Sequence, residues 1–108
     1  MATKTEPSHA PLPPGLPPAT AELADALLSL RNRDEMLRFL RDLCTLQELE
    51  ALVHRWQIFN LLEQKAPYLE IAERVGASTT TVTRVAHWLR HGAGGYRTAL
   101  ERLRRERK

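Results

Sequence analysis

Cysteine, proline beyond the first nineteen residues, and long apolar runs are all scarce in this chain. Its 108 residues include one cysteine, Cys44. That excludes an intrachain disulfide and any CxxC metal motif. Set between Leu43 and Thr45, it reads as a small buried apolar residue rather than a nucleophile. No apolar run reaches the ~20 residues of a membrane span, so no membrane partner is expected. The N-terminus has no basic segment leading into an apolar stretch, as a signal peptide would, and the expected compartment is the cytoplasm. No alternating strand pattern occurs anywhere. Nor is there a nucleophile–base constellation or a glycine-rich phosphate loop, so an enzyme is not expected.

Six of the seven prolines lie in residues 1–19. Few side chains there can bury anything, and the stretch reads as a disordered, polyproline-like arm. Pro67 is the one later proline, which leaves the remainder free to be helical. A first helix is expected from about Thr20 to Leu30, with Leu23, Leu27 and Leu30 on one face. Asn32 and Glu35 fit a capping box for a second, through about Leu43, presenting Met36, Leu37, Phe39, Leu40 and Leu43. Thr45 and Glu48 form another box. It opens a long third helix to about Gln64, with Leu49, Leu52, Val53, Trp56, Phe59 and Leu62 inward. A last helix starts near Tyr96 and carries Ala99, Leu100 and Leu103. Residues 20–108 thus form one all-α domain of six helices. They carry more apolar faces than so small a chain can cover, which points to a homodimer.

Residues 67–91 hold the most specific pattern. Ile71 and Val75 mark the inner face of a short helix, and Ala72 offers the small side chain that a crossing helix requires. Gly76 falls at the turn, where a left-handed backbone costs glycine little. Ser78 can cap the next helix. Val82, Val85 and Leu89 bury that helix at spacings of three and four. Thr79, Thr80, Thr81, Thr83 and Arg84 remain outward. Short hydroxyls and a guanidinium suit base edges and phosphates in a major groove, so the stretch is a candidate helix-turn-helix. Ser78 and His87 complete the candidate DNA-binding set.

Charge is segregated along the chain. From Arg84 to the end, eight basic residues face two glutamates, a net +6. Residues 1–83 therefore carry −3 of the total +3. A polyanionic partner, double-stranded DNA, fits this distribution. His87 and His91 stand four apart, as in many metal sites, but no third ligand has suitable spacing and no Glu lies between them as in HExxH. They read as a helix face toward phosphate or solvent, and neither a metal nor a cofactor is expected.

The chain resembles the Trp-repressor superfamily, in particular its YerC/YecD-type branch, over roughly residues 20–105. The resemblance rests on Leu43-Cys-Thr-Leu-Gln-Glu-Leu-Glu-Ala-Leu-Val-His-Arg55, on Glu70-Ile-Ala-Glu-Arg-Val-Gly-Ala77 and on Thr81-Val-Thr-Arg84. It implies an intertwined homodimer, sequence-specific operator binding and transcriptional regulation; the expected mode is repression at a near-palindromic operator. In tryptophan-responsive members, two arginines sandwich the co-repressor's indole, and Arg55 and Arg84 match them. Thr45 matches a threonine at the start of the long helix. Two pocket positions depart: a glycine beside the indole is Val85 here, and a serine near the amino group is Trp88. Tryptophan is therefore not the expected co-repressor. Trp88 is expected to turn inward and fill part of the slot; the alternative is that it packs in the core and leaves a reshaped pocket for a different small ligand. Two rival readings are a helical dimerisation module that does not bind DNA, and a DNA-binding subunit in replication or recombination. The first would place acidic residues on the outward face of 79–90, and the sequence has none there.

Overall fold

The computed structural model of the chain describes residues 13–106. The first twelve residues of the proline-rich arm lie outside this range, as do Arg107 and Lys108. Six helices follow in order: α1 (Thr20–Ser29), α2 (Arg33–Leu43), α3 (Leu46–Glu63), α4 (Tyr68–Val75), α5 (Thr79–His91) and α6 (Gly95–Glu106). The described residues divide into two compact units, with the boundary between Arg38 and Phe39.

In the first unit, Pro13 to Leu16 make a turn closed by the Leu16 N–H on the Pro13 carbonyl at 3.4 Å. At the start of α2 the Asn32 side chain accepts the Glu35 N–H at 2.9 Å. Glu35 reaches back at 2.8 Å to the Arg31 N–H, one residue earlier than a standard capping box would place it. Asp34 and Arg38 pair at 3.1 Å on the surface, a contact that contributes only a few tenths of a kcal/mol. No residue from 13 to 38 is buried. Leu23, Leu28 and Leu37 are exposed, Leu28 by 81%.

The second unit holds the core. Thr45 caps α3 with a complete box: its hydroxyl accepts the Glu48 N–H at 3.1 Å, and Glu48 accepts the Thr45 N–H at 2.8 Å. Ile58, Phe59 and Leu61 of α3 pack with Ile71 and Ala72 of α4, Val82 and Val85 of α5, and Leu100 of α6. Each fully buried large side chain here contributes about 1.5–3 kcal/mol. The expected inward face of α3 needs correction. Leu52 and Val53 are exposed, Leu49 is half-buried, and Ile58 and Leu61 hold core positions instead. The helix is apolar around its circumference, so periodicity alone cannot choose a face. Cys44 is half-buried.

Helix α3 ends without glycine. Lys65 takes the left-handed conformation, φ 66°, and the Ala66 N–H reaches back to the Leu61 carbonyl at 3.1 Å. Besides Leu100 in the core, a stacked ring and an ion pair fasten α6 to α3. Tyr96 stacks on Phe59, and Arg97 pairs with Glu63 at 3.2 Å. Its inner face is Tyr96 and Leu100. Ala99 and Leu103 are exposed, contrary to expectation, with the stacked Tyr96 and buried Leu100 setting the rotation of the helix.

Candidate nucleic-acid interface

Helix α4, the turn and α5 form the motif read from residues 67–91. Pro67 precedes α4 in an extended conformation. Ile71 and Ala72 are buried, and α4 packs on α5 through them. Gly76 sits at φ 82°. A Cβ there would meet nothing within 4 Å, so the backbone conformation, not space, calls for glycine. The Gly76 and Ala77 N–H groups both donate to the Ala72 carbonyl, at 2.9 and 3.0 Å, and close α4. Ser78 then caps α5, accepting the Thr81 N–H at 3.2 Å. At the far end of α5, a Cβ on Gly92 would collide with the Trp88 carbonyl.

Val82, Val85 and Ala86 of α5 are buried and Leu89 is half-buried. Thr80, Arg84, His87 and His91 lie opposite them in one exposed row, at steps of four, three and four residues. Thr79 and Thr83 flank the row. Among the described residues, no acidic side chain lies within 4 Å of Arg84 or Arg90. Three hydroxyls of the predicted set are already engaged, Thr81 with the Ser78 hydroxyl at 3.2 Å. Ser78 serves the cap, and Thr83 donates to the Thr79 carbonyl at 2.9 Å. Thr81 departs from expectation. It is half-buried and faces a concavity, since its position lies on the flank of α5 beside Val85.

That concavity, about 630 Å³, is lined by residues of α3, α5 and the turn, together with Tyr96. It brings together Arg55, Arg84, Val85 and Trp88 of the expected ligand pocket. Thr45 is not among its walls, being used to cap α3. Val85 is a core residue at 3% exposure, present only at the floor. The expectation for Trp88 also needs correction: it stands at the rim, 58% exposed, and leaves the slot open. Val85, which is buried, already occupies the inward direction next to it.

Ala51, His54, Ala77 and Tyr96 complete the walls and were not read from the sequence as site residues. Tyr96 carries no motif signal. Its place follows from stacking on Phe59, with ring centres 4.8 Å apart, and lying 6.3 Å from Trp56. Burial raises its phenol above the ordinary range near 10, while the charge of Arg55 pulls the other way.

Among the described residues, no group of three or more potential ligands could hold a metal ion. No described helix is long and apolar enough to cross a membrane.

The model of the Trp repressor protein family matches residues 19–104. The chain is 36% identical over 83 residues to the uncharacterized protein YerC of Bacillus subtilis (strain 168), covering 77% of this chain and 80% of that one. It is similar in structure to a Trp-repressor-like protein from Staphylococcus aureus. There the TM-score is 0.76 at 40% identity, over 80% of this chain and 86% of that one. A TrpR-like protein from Eubacterium eligens ATCC 27750 gives a TM-score of 0.75 at 41% identity, over 79% and 88% of the two chains.

Proposed function

This chain belongs to the Trp repressor family, a family of non-enzymatic regulators, and from that premise we propose that it is a cytoplasmic, sequence-specific DNA-binding repressor. The observation that carries this reading is the exposed row Thr80, Arg84, His87 and His91 on α5, behind a capped glycine turn and free of acidic residues. Thr79 and Thr80 offer hydroxyls at the start of the helix, where a recognition helix meets base edges, and Arg84 offers a guanidinium.

The protein acts as a homodimer on a near-palindromic operator. Leu43, Leu46, Leu52 and Val53 are exposed, and neither α1 nor α2 contains a buried residue. A second copy is the economical cover for such faces, and it supplies the second recognition helix, ~34 Å from the first, that a palindrome needs. Arg55 and Arg84, across the open concavity, form a pair suited to an anionic effector other than tryptophan.

Selection from a random duplex pool tests the DNA reading. Enrichment of a two-fold-symmetric sequence is the expected outcome, and recovery of unenriched DNA would refute it. Sedimentation at micromolar concentration should give twice the chain mass of 12.3 kDa; a folded monomer would remove the dimer.

A further inference from the structure

The spacing of His87 and His91 does not by itself make a metal site, but their arrangement in space points to one. Both side chains are exposed on the outer row of α5, with ring centres 4.9 Å apart and planes tilted by 45°. With metal–nitrogen bonds of about 2.0–2.1 Å, two imidazoles on one ion hold their ring centres roughly 4.5–5.2 Å apart, for nitrogen–metal–nitrogen angles between about 90° and 110°. The observed separation falls inside that interval without any movement of the helix.

We propose that His87 and His91 form a two-histidine site for a late first-row divalent metal ion, Cu(II), Ni(II) or Zn(II), with water in the remaining positions. His91 is the last residue of α5. The ion therefore sits at the helix C-terminal turn, where partial negative charge on free carbonyls favours a cation. Arg84 and Arg90 are the charged neighbours on the same helix, and no carboxylate lies on α5. Affinity must then come from nitrogen coordination rather than from opposite charge. That selects copper, nickel and zinc and rejects magnesium and calcium, which require oxygen ligands.

The site goes beyond the DNA reading and is testable without DNA. Trp88 is its reporter: its ring lies edge-on to His87 with centres 5.0 Å apart, close enough for a paramagnetic ion to quench its fluorescence. The untagged full chain is titrated with Cu(II), Ni(II), Zn(II) and Mg(II), followed by calorimetry and fluorescence. One ion per chain is expected, with Cu(II) the tightest and Mg(II) silent. His87→Ala and His91→Ala should each weaken Cu(II) binding by about an order of magnitude or more, as expected when a bidentate site becomes monodentate. Both side chains are exposed, so the variants should keep the wild-type circular dichroism. His54→Ala and Cys44→Ser, which remove the other described imidazole and the thiol, should bind as wild type does. The site is overturned if the double variant His87→Ala/His91→Ala keeps wild-type affinity, or if micromolar Cu(II) leaves the wild-type protein unoccupied.

Discussion

Tyr96 lies on Phe59 with ring centres 4.8 Å apart and planes 15° from parallel. The pair joins the start of α6 to the buried half of α3. Tyr96→Ala should therefore destabilise the protein by about 2–3 kcal/mol, less than for a fully buried ring because Tyr96 is half-exposed. Tyr96→Phe should be nearly neutral below pH 9. Burial raises the Tyr96 phenol, against the pull of Arg55. The folded state thus holds this proton more tightly than the unfolded chain does. Its contribution is complete below the ordinary tyrosine range near 10 and is lost as pH rises through the folded value. Urea titrations from pH 8 to 11 should show that loss in wild type and its reduction in Tyr96→Phe.

Lys65 occupies a left-handed backbone position with a full side chain. A non-glycine residue there costs about 1–2 kcal/mol relative to its helical alternative. Lys65→Gly relieves that cost while losing some unfolded-state restriction, so the net gain should be about 0.5–1 kcal/mol. A higher midpoint in urea is the expected reading, and a lower one would mean that the lysine stem holds α3 to its neighbours.

Arg84 is the guanidinium on the outer row of α5. Arg84→Ala should weaken operator binding by about 1–3 kcal/mol and relax specificity at one base position if the contact is to a base. If the contact is to phosphate, the loss should be uniform across sequences and the salt dependence shallower. Unaltered affinity for every duplex would remove Arg84 from the interface.

Free tryptophan should not switch this protein. Val85 stands at the floor of the concavity and Trp88 at its rim, where the resemblance puts a glycine beside the indole and a serine near the amino group in tryptophan-responsive members. Calorimetry at millimolar tryptophan should give no heat of binding, and operator affinity should not respond. Micromolar binding that tightened the DNA complex would contradict this.

The helix ends were legible in the sequence wherever a capping side chain or a residue of restricted or unusually free backbone marks them. Thr45 with Glu48, Ser78, Gly76 and Pro67 each mark a boundary within one or two residues of the observed one. The left-handed end of α3 was not legible, because Lys65 stands where glycine would have signalled it. The buried face of α3 was hidden for a different reason. Leu52 and Val53 are as apolar as Ile58 and Leu61, and only tertiary packing separates them. Of the candidate site, the outer row of α5 followed from its spacing. Thr81 turned toward the concavity and Trp88 stayed at its rim because Val85, one turn away, had already taken the interior. Tyr96 entered the site through stacking, which no local pattern encodes.

The bond from the Thr83 hydroxyl to the Thr79 carbonyl has a consequence for base chemistry. With its donor engaged inside the helix, Thr83 offers the groove a methyl group and an acceptor oxygen but no hydroxyl proton. Among the four standard bases, only thymine presents a methyl group in the major groove for such a contact. The operator should therefore carry thymine opposite Thr83. Replacing that thymidine with deoxyuridine, which removes one methyl and no hydrogen-bonding group, should weaken the complex. Thr83→Val should bind the original site about as well as wild type does.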